Sequence, residues 1–299
     1  MLQSVTVAAV QASAETCWSE SHFREKILDL TKRSKDAGAT ILVFPEDLGI
    51  WLQFCRHGAA VEALRDALSG KVVSAAGSTA RGWFERVTDA FFNHVKLNFI
   101  GDWLSSNRIA RIVDRVFSEA ARTHGVTIVA GSIFLRRADG FRDISFVYNP
   151  DGSQAGIYEK VNLIATEKSL GMTGAPAPVV IHTHDYILGV CICYDLNSPE
   201  LVRSLSDQGA QIILTPTMGI RPWPNYPYDL IHDEPQIERA KETGLAVVRT
   251  YMCGLMFPGL WFDGHASITA PDGSVPARSK SARHEEIVVA TVPLRSKKV

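Results

Sequence analysis

The stretch GVCICYDLNSPE, residues 189–200, runs from an apolar strand-type segment into a helix start, with Cys191 and Cys193 just ahead of the junction. Ser198 suits an N-cap, Pro199 the first helical position and Glu200 the first turn, so a helix is expected to open a few residues beyond Cys193. Two residues apart on a strand, the cysteines would share one face, Cys191 deeper and Cys193 at the strand's end. By themselves both read as core, because a buried cysteine is usually a small inert hydrophobe. Asp195, at the turn, is of the type that satisfies backbone donors.

Outward from this junction, β-rich runs alternate with helical ones. VTVAAVQA (5–12), a helical segment over 21–38 and TILVFPE (40–46) form a βαβ opening, and a helix near 107–124 leads into VTIVAGSIFL (126–135). ISFVYNPDGSQAGIYEK reads as a hairpin turning at Pro150-Asp151-Gly152, and ASITAPDGSVPARS repeats the device. Between them lie the strand QIILTP (211–216), a helix near 233–243 and the strand LAVVRTY (245–251). With no linker, repeat or low-complexity tract, residues 1–299 read as one α/β domain of helices packed on β layers. The least regular part, about 50–105, carries large apolar groups at helical spacing and is expected to add a helical pair.

Composition narrows the class. At 46 % hydrophobic residues the 299-residue chain can bury a large core, and 31 basic against 32 acidic side chains, with no run of like charge, point away from a nucleic-acid partner and toward a small molecule. No apolar stretch is long enough to span a bilayer, and MLQSVTVAAVQAS lacks a basic region before its apolar run, so no membrane partner is expected. Five scattered cysteines (17, 55, 191, 193 and 253) match neither a disulfide framework nor a zinc pattern and fit a reducing, cytoplasmic setting.

Three strand ends carry groups a core would not want: Glu46 after ILVFP, Lys160 after GIYE and Cys193 after GVCI. Ligand sites of α/β proteins are built at strand ends, so a carboxylate, an amine and a thiol can converge there. A thiol is mostly protonated at neutral pH and needs a base, a cation or a helix start beside it to act as a nucleophile; all three are available.

VFPE, YEKVNL and GVCICYD, in this order, resemble the three signature segments of the nitrilase superfamily, the carbon-nitrogen hydrolases. VAAVQAS, VAGSIF, SPELVRSLSDQGAQIILTPT, ERAKETGLAVVRTY and GHASITAPDG extend the likeness over nearly the whole chain. The resemblance implies a four-layer αββα sandwich, from which the long segment near 50–105 is expected to depart as an enlarged helical insertion, and members that pair as homodimers or higher homo-oligomers. It implies Glu46 as general base, Lys160 as stabiliser of the tetrahedral intermediate, Cys193 as nucleophile and Glu167 as a further glutamate. The Tyr194 N–H would donate to the oxyanion. The substrate implied is a small amide or N-carbamoyl compound cleaved through a cysteine thioester, with no metal and no other cofactor. Cys-Tyr-Asp resembles the amidase, ω-amidase and carbamoylase branch. Nitrile hydrolysis, acyl transfer to an amine and a non-catalytic binding protein are the alternatives.

Asn162 stands where the family frequently has histidine, and Asn197-Ser198 where a bulky aromatic often precedes Pro-Glu; neither removes a catalytic group. Trp51, Phe54 and the aromatics after residue 80 are candidates for an acyl pocket, with packing in an added helical layer or a subunit interface the stronger expectation. The loop TPTMGIRPWPNYPYD (215–229), which leaves the strand after the nucleophile, is the better pocket candidate, through Met218 and Gly219.

Overall fold

A computed structural model describes residues 3–13, 19–48, 52, 106–222, 233–257 and 260–296. Strands and helices are numbered in chain order. The first sheet has eight strands: β1 (Gln3–Ser13), β2 (Ile41–Val43), β3 (Thr127–Val129), β4 (Ile133–Arg137), β5 (Gly140–Tyr148), β6 (Gln154–Glu159), β12 (Tyr251–Cys253) and β17 (Glu286–Leu294). The second has six: β7 (Ile181–His182), β8 (Ile187–Val190), β9 (Ile212–Thr215), β11 (Val247–Arg249), β15 (Ser267–Thr269) and β16 (Ala277–Arg278). A small third sheet joins β10 (Ile220–Pro222), β13 (Leu255–Phe257) and β14 (Leu260–Phe262).

The period-two alternation of strands assigns the layers. Val5, Val7 and Ala9 of β1 point into a core shared with Leu188 and Val190 of β8, Ile212 and Leu214 of β9 and Val248 of β11, so the two large sheets pack face to face. The alternate residues Ala8, Val10 and Ala12 face the other way, onto Phe23, Ile27 and Leu30 of helix α1 (Glu20–Asp36) and Val113, Val116 and Phe117 of α2 (Ser106–His124). The outer face of the second sheet, with Ile213 and Val247, is covered by Leu201, Val202 and Leu205 of α4 (Pro199–Asp207) and Ala240 of α5 (Glu234–Thr243). Helices, sheet, sheet and helices therefore stack as an αββα sandwich. α3 (Ala165–Ser169) is a single short turn beside the site.

Helix ends follow local chemistry. Ser198 Oγ accepts from Leu201 N at 3.3 Å, and Pro199 opens α4 as its position suggests. Gly244, at φ 65°, closes α5 in the left-handed conformation that glycine adopts at least cost.

Two runs that read as single strands are divided. VTIVAGSIFL breaks at Gly131, whose φ of 66° turns the chain so that β3 and β4 both flank β5. LAVVRTY supplies β11 to the second sheet and then crosses at Thr250 into β12 of the first, because Thr250 N bonds to Thr215 O while Tyr251 pairs with Gln11. The expected insertion over 50–105, with Trp51, Phe54, Cys55 and the later aromatics, lies outside the described residues apart from the buried Leu52, as do Cys17 and residues 223–232 of the proline-rich loop. Among the described residues, no helix is long and apolar enough to cross a membrane.

Candidate active site

Glu46 follows β2 after Phe44-Pro45 and is buried, Phe44 N being held by Val129 O at 2.9 Å. Lys160 follows β6, its N–H bonded to Asp143 O at 2.9 Å and its carbonyl accepting from Ala175 N at 2.8 Å. Only 1 % of the Lys160 surface is exposed. Its ammonium donates to Glu46 Oε1 at 2.6 Å and to Glu167 Oε1 at 2.5 Å, with Asp143 Oδ2 at 3.7 Å. Glu167 is fixed in turn by Ile164 N, which donates to its other oxygen at 2.9 Å.

Cys193 opens a 3-10 turn (Cys193–Asn197) at φ 48°, in the left-handed region that non-glycine residues enter at some cost. Its N–H is held by Pro216 O at 2.8 Å. This backbone departure separates the two sulfurs, which do not share a face as an unbroken strand would have required. β8 stops at Val190; Cys191 packs under the helices with Sγ 3.3 Å from Thr215 Oγ1, whereas Cys193 turns to the core between the sheets. Asp195 supports the turn by accepting from Tyr158 Oη (2.9 Å), Asn162 N (2.7 Å), Ile192 N (3.2 Å) and Val161 N (3.4 Å). It acts as the tie to backbone donors that its position suggested.

Met218 joins the carboxylate to the thiol. Its N–H donates to Glu46 Oε2 at 2.8 Å, and its carbonyl lies 3.7 Å from Cys193 Sγ. Gly219 follows where the chain passes so close to Asp263 that a Cβ would clash with that side chain. Tyr194 follows the nucleophile candidate and is 46 % exposed, in contrast to the buried Glu46, Lys160 and Glu167.

The electrostatics are those of a dry site. Burial works against the charge of Lys160, but its acidic neighbours, Glu46 foremost, outweigh this and hold it well above the ordinary lysine range. Burial, and then the charge of Glu46, push the Cys193 thiol well above its usual value, against the pull of Lys160 and Arg249. Burial likewise raises Glu167, with Lys160 opposing. Oxygens of Glu46, Asp143 and Glu167 lie within 4.8 Å of one another, a spacing open to a cation. The Lys160 ammonium supplies that charge from within the chain.

A family model described as carbon-nitrogen hydrolase matches residues 113–297. The chain belongs to the carbon-nitrogen hydrolases. Among solved structures, a carbon-nitrogen hydrolase from Helicobacter pylori G27 is 20 % identical with a TM-score of 0.68, covering 97 % of this chain and 89 % of that one. An amidase from Nesterenkonia sp. is 21 % identical at a TM-score of 0.65, covering 97 % and 90 %. The chloroplastic omega-amidase of Arabidopsis thaliana is 26 % identical over 187 residues, 58 % of this chain and 47 % of that protein. The chain spans between 28 % and 55 % of the lengths of the first curated relatives it matches.

Reading the sequence of this carbon-nitrogen hydrolase missed a second acidic tier. Asp143, on β5, is fully buried with neither carboxyl oxygen hydrogen-bonded, and Asp47 is buried at φ 56° with Oδ1 equally unpartnered. Ser132, which accepts from Asp47 N at 3.2 Å, lies beside them. The available signal was FRDISFVY, where a carboxylate falls inside an apolar strand. Arg249 was also missed; its charge is felt at both Cys191 and Cys193.

Proposed function

We propose that the protein hydrolyses the C–N bond of a small amide through a thioester on Cys193, with Glu46 as general base and Lys160 as oxyanion stabiliser. The observation that carries this reading is the convergence on Glu46: one oxygen holds the buried Lys160 ammonium at 2.6 Å, and the other accepts from Met218, whose carbonyl lies 3.7 Å from the Cys193 sulfur. A thiol raised by burial and by a neighbouring carboxylate is not a standing thiolate. It needs a base that takes its proton as it attacks, and Glu46 is the group in reach.

Cys193 Sγ attacks the amide carbon while its proton passes to Glu46. The oxygen of the tetrahedral intermediate gains the negative charge, opposite the Lys160 ammonium and the Tyr194 N–H. Glu46 returns the proton to the nitrogen, the C–N bond breaks, and ammonia or an amine departs. Water then attacks the thioester, losing a proton to Glu46. Cleavage of the C–S bond frees the acid, and the proton returns to sulfur. Glu167, bonded to Lys160 at 2.5 Å, keeps the ammonium in place when Glu46 becomes neutral. Met218 and Gly219 border the acyl side, and the relatives named as amidases favour amides over nitriles.

Ammonia release from an amide and N-carbamoyl library, with intact-mass detection of the acyl-protein, tests the reading. Wild-type protein is expected to give ammonia and a trapped acyl adduct on Cys193. Cys193→Ala is expected to give neither while melting like the wild type, and Cys191→Ala to stay active. Near-wild-type turnover by Cys193→Ala would overturn the assignment. Added hydroxylamine reports acyl transfer to an amine as a hydroxamate.

A further inference from the structure

Four carboxyl groups, Glu46, Asp47, Asp143 and Glu167, gather around the buried ammonium of Lys160 and feel its charge and one another's. Were all four ionised, the excess negative charge would stand where water is scarce, and like charges a few ångströms apart in such surroundings cannot all be held. The geometry distinguishes the three that approach the ammonium. Glu46 and Glu167 each bond the ammonium with one oxygen and a backbone N–H with the other. Asp143 is 0 % exposed, has no hydrogen bond at either oxygen, and stands 3.7 Å from Lys160 Nζ, too far for a hydrogen bond and near enough to fill the ammonium's remaining flank. The groups that act on it are Lys160, Glu46, Glu167 and the nearby Ser132 hydroxyl, and Asp47 on the Glu46 loop feels its charge in turn.

We propose that Asp143 is a positioning residue for Lys160: a carboxyl that stays protonated against the flank of the ammonium and fixes it by shape and dipole. The lysine's charge is then left for Glu46, Cys193 and the developing oxyanion. Burial first, and then Glu46 and Glu167, drive Asp143 well above the ordinary carboxylate range against the pull of Lys160 and of the Ser132 hydroxyl, in the direction this role requires. A fixed backbone link couples the two residues, because Lys160 N donates to Asp143 O where β5 and β6 end their pairing. The two main chains are thereby held side by side, which keeps the Asp143 carboxyl within reach of the lysine's flank.

The inference rests on Lys160 and Cys193 working together, and its test needs no amide turnover. Full-length wild type, Asp143→Asn and Asp143→Ala are compared in two ways. Infrared difference spectra between wild type and Asp143→Asn at neutral pH should contain the carbonyl band of a protonated carboxylic acid. Carbamidomethylation of Cys193 by iodoacetamide, followed by mass spectrometry across pH, should give a profile for Asp143→Asn within about twofold of wild type, because an amide mimics a neutral acid. For Asp143→Ala the midpoint should rise by about one pH unit, a tenfold slower reaction at neutral pH. If Ala does not fold, Asp143→Ser replaces it. Carboxylate bands in place of the acid band, an Asn profile displaced as far as that of Ala, or an Ala profile superposed on wild type would overturn the proposal. Ammonia release run in parallel keeps the two readings apart: its absence with every amide counts against the amidase assignment and leaves the infrared and alkylation results standing.

Discussion

Replacing Asp195 with alanine removes the acceptor that ties the Lys160 loop to the Cys193 turn. Tyr158, Val161 and Asn162 flank Lys160 and Ile192 precedes Cys193, and all four donate to this one carboxyl group. The bonds from Asn162 N at 2.7 Å and Tyr158 Oη at 2.9 Å are short, while those from Ile192 and Val161 are long and contribute less. With about 1.5–3 kcal/mol for a bond to a charged acceptor and about half that for a neutral one, the two short bonds and the stranded donors sum to about 3–5 kcal/mol. A domain's whole stability is about 5–15 kcal/mol, so Asp195→Ala should fold but lose a large part of it, moving the urea midpoint by about 1 M or more. Turnover should fall about a hundredfold, because the loss frees Cys193 and Lys160 to shift by about 1 Å relative to each other. Tyr158→Phe, which removes one short bond and no acceptor, should cost about 1 kcal/mol and leave turnover nearly intact. Urea unfolding and kcat on the same preparations check this. An Asp195→Ala protein with an unchanged midpoint and full turnover would refute the argument that this carboxyl group holds the site together.

Glu46→Gln should move two activities in opposite directions: amide turnover falls about 10²–10⁴-fold with the loss of the proposed base, while alkylation of Cys193 at neutral pH quickens, because the charge that raises the thiol is gone. Both falling together would remove Glu46 from the thiol's surroundings. Gly131→Ala should destabilise by about 2–4 kcal/mol in denaturant unfolding and lower turnover, since its φ is 66° and a Cβ would come closer than 3.0 Å to the carbonyl oxygen of Pro45, next to Glu46. Glu285 bonds Lys26 at 2.8 Å and Arg33 at 2.9 Å; burial works against its charge, but these partners outweigh burial and hold it below the usual glutamate range. Its stabilisation is therefore complete above the unfolded value and fades as pH falls through the lower folded one. The gap of about 1 kcal/mol between wild type and Glu285→Gln at neutral pH should close in acid, as read by melting curves.

The parts of the fold that sequence made legible are those with short-range causes. The Ser198-Pro199 helix start, the PDG turns and the period-two pattern of β1 are each determined within a few residues, and each appears where those residues dictate. Glu46, Lys160 and Cys193 were visible because each puts chemistry at the end of an apolar run. Three features were not visible, because their causes are long-range. The turn at Gly131 exists to let β3 and β4 flank β5, and the crossing at Thr250 depends on β1 and β9 standing side by side in different sheets. The burial of Asp143 becomes a chemical fact only when Lys160 arrives beside it from the neighbouring strand.

The convergence of the site follows from strand direction. β2 runs parallel to β3, β3 antiparallel to β5, and β5 antiparallel to β6, so β2 and β6 point the same way and release Glu46 and Lys160 at the same end of the first sheet. β8 and β9 are parallel in the second sheet and release Cys193 and then Met218 together. With the sheets face to face, a carboxylate and an ammonium from one meet a thiol and a backbone amide from the other, at the carboxyl ends of strands where an α/β fold leaves room for a ligand. The core of valine, isoleucine and leucine between the sheets thus sets the register of the chemistry: sliding one sheet past the other by a residue would part Glu46 from Met218 and Cys193 while leaving every hydrogen bond within each sheet intact.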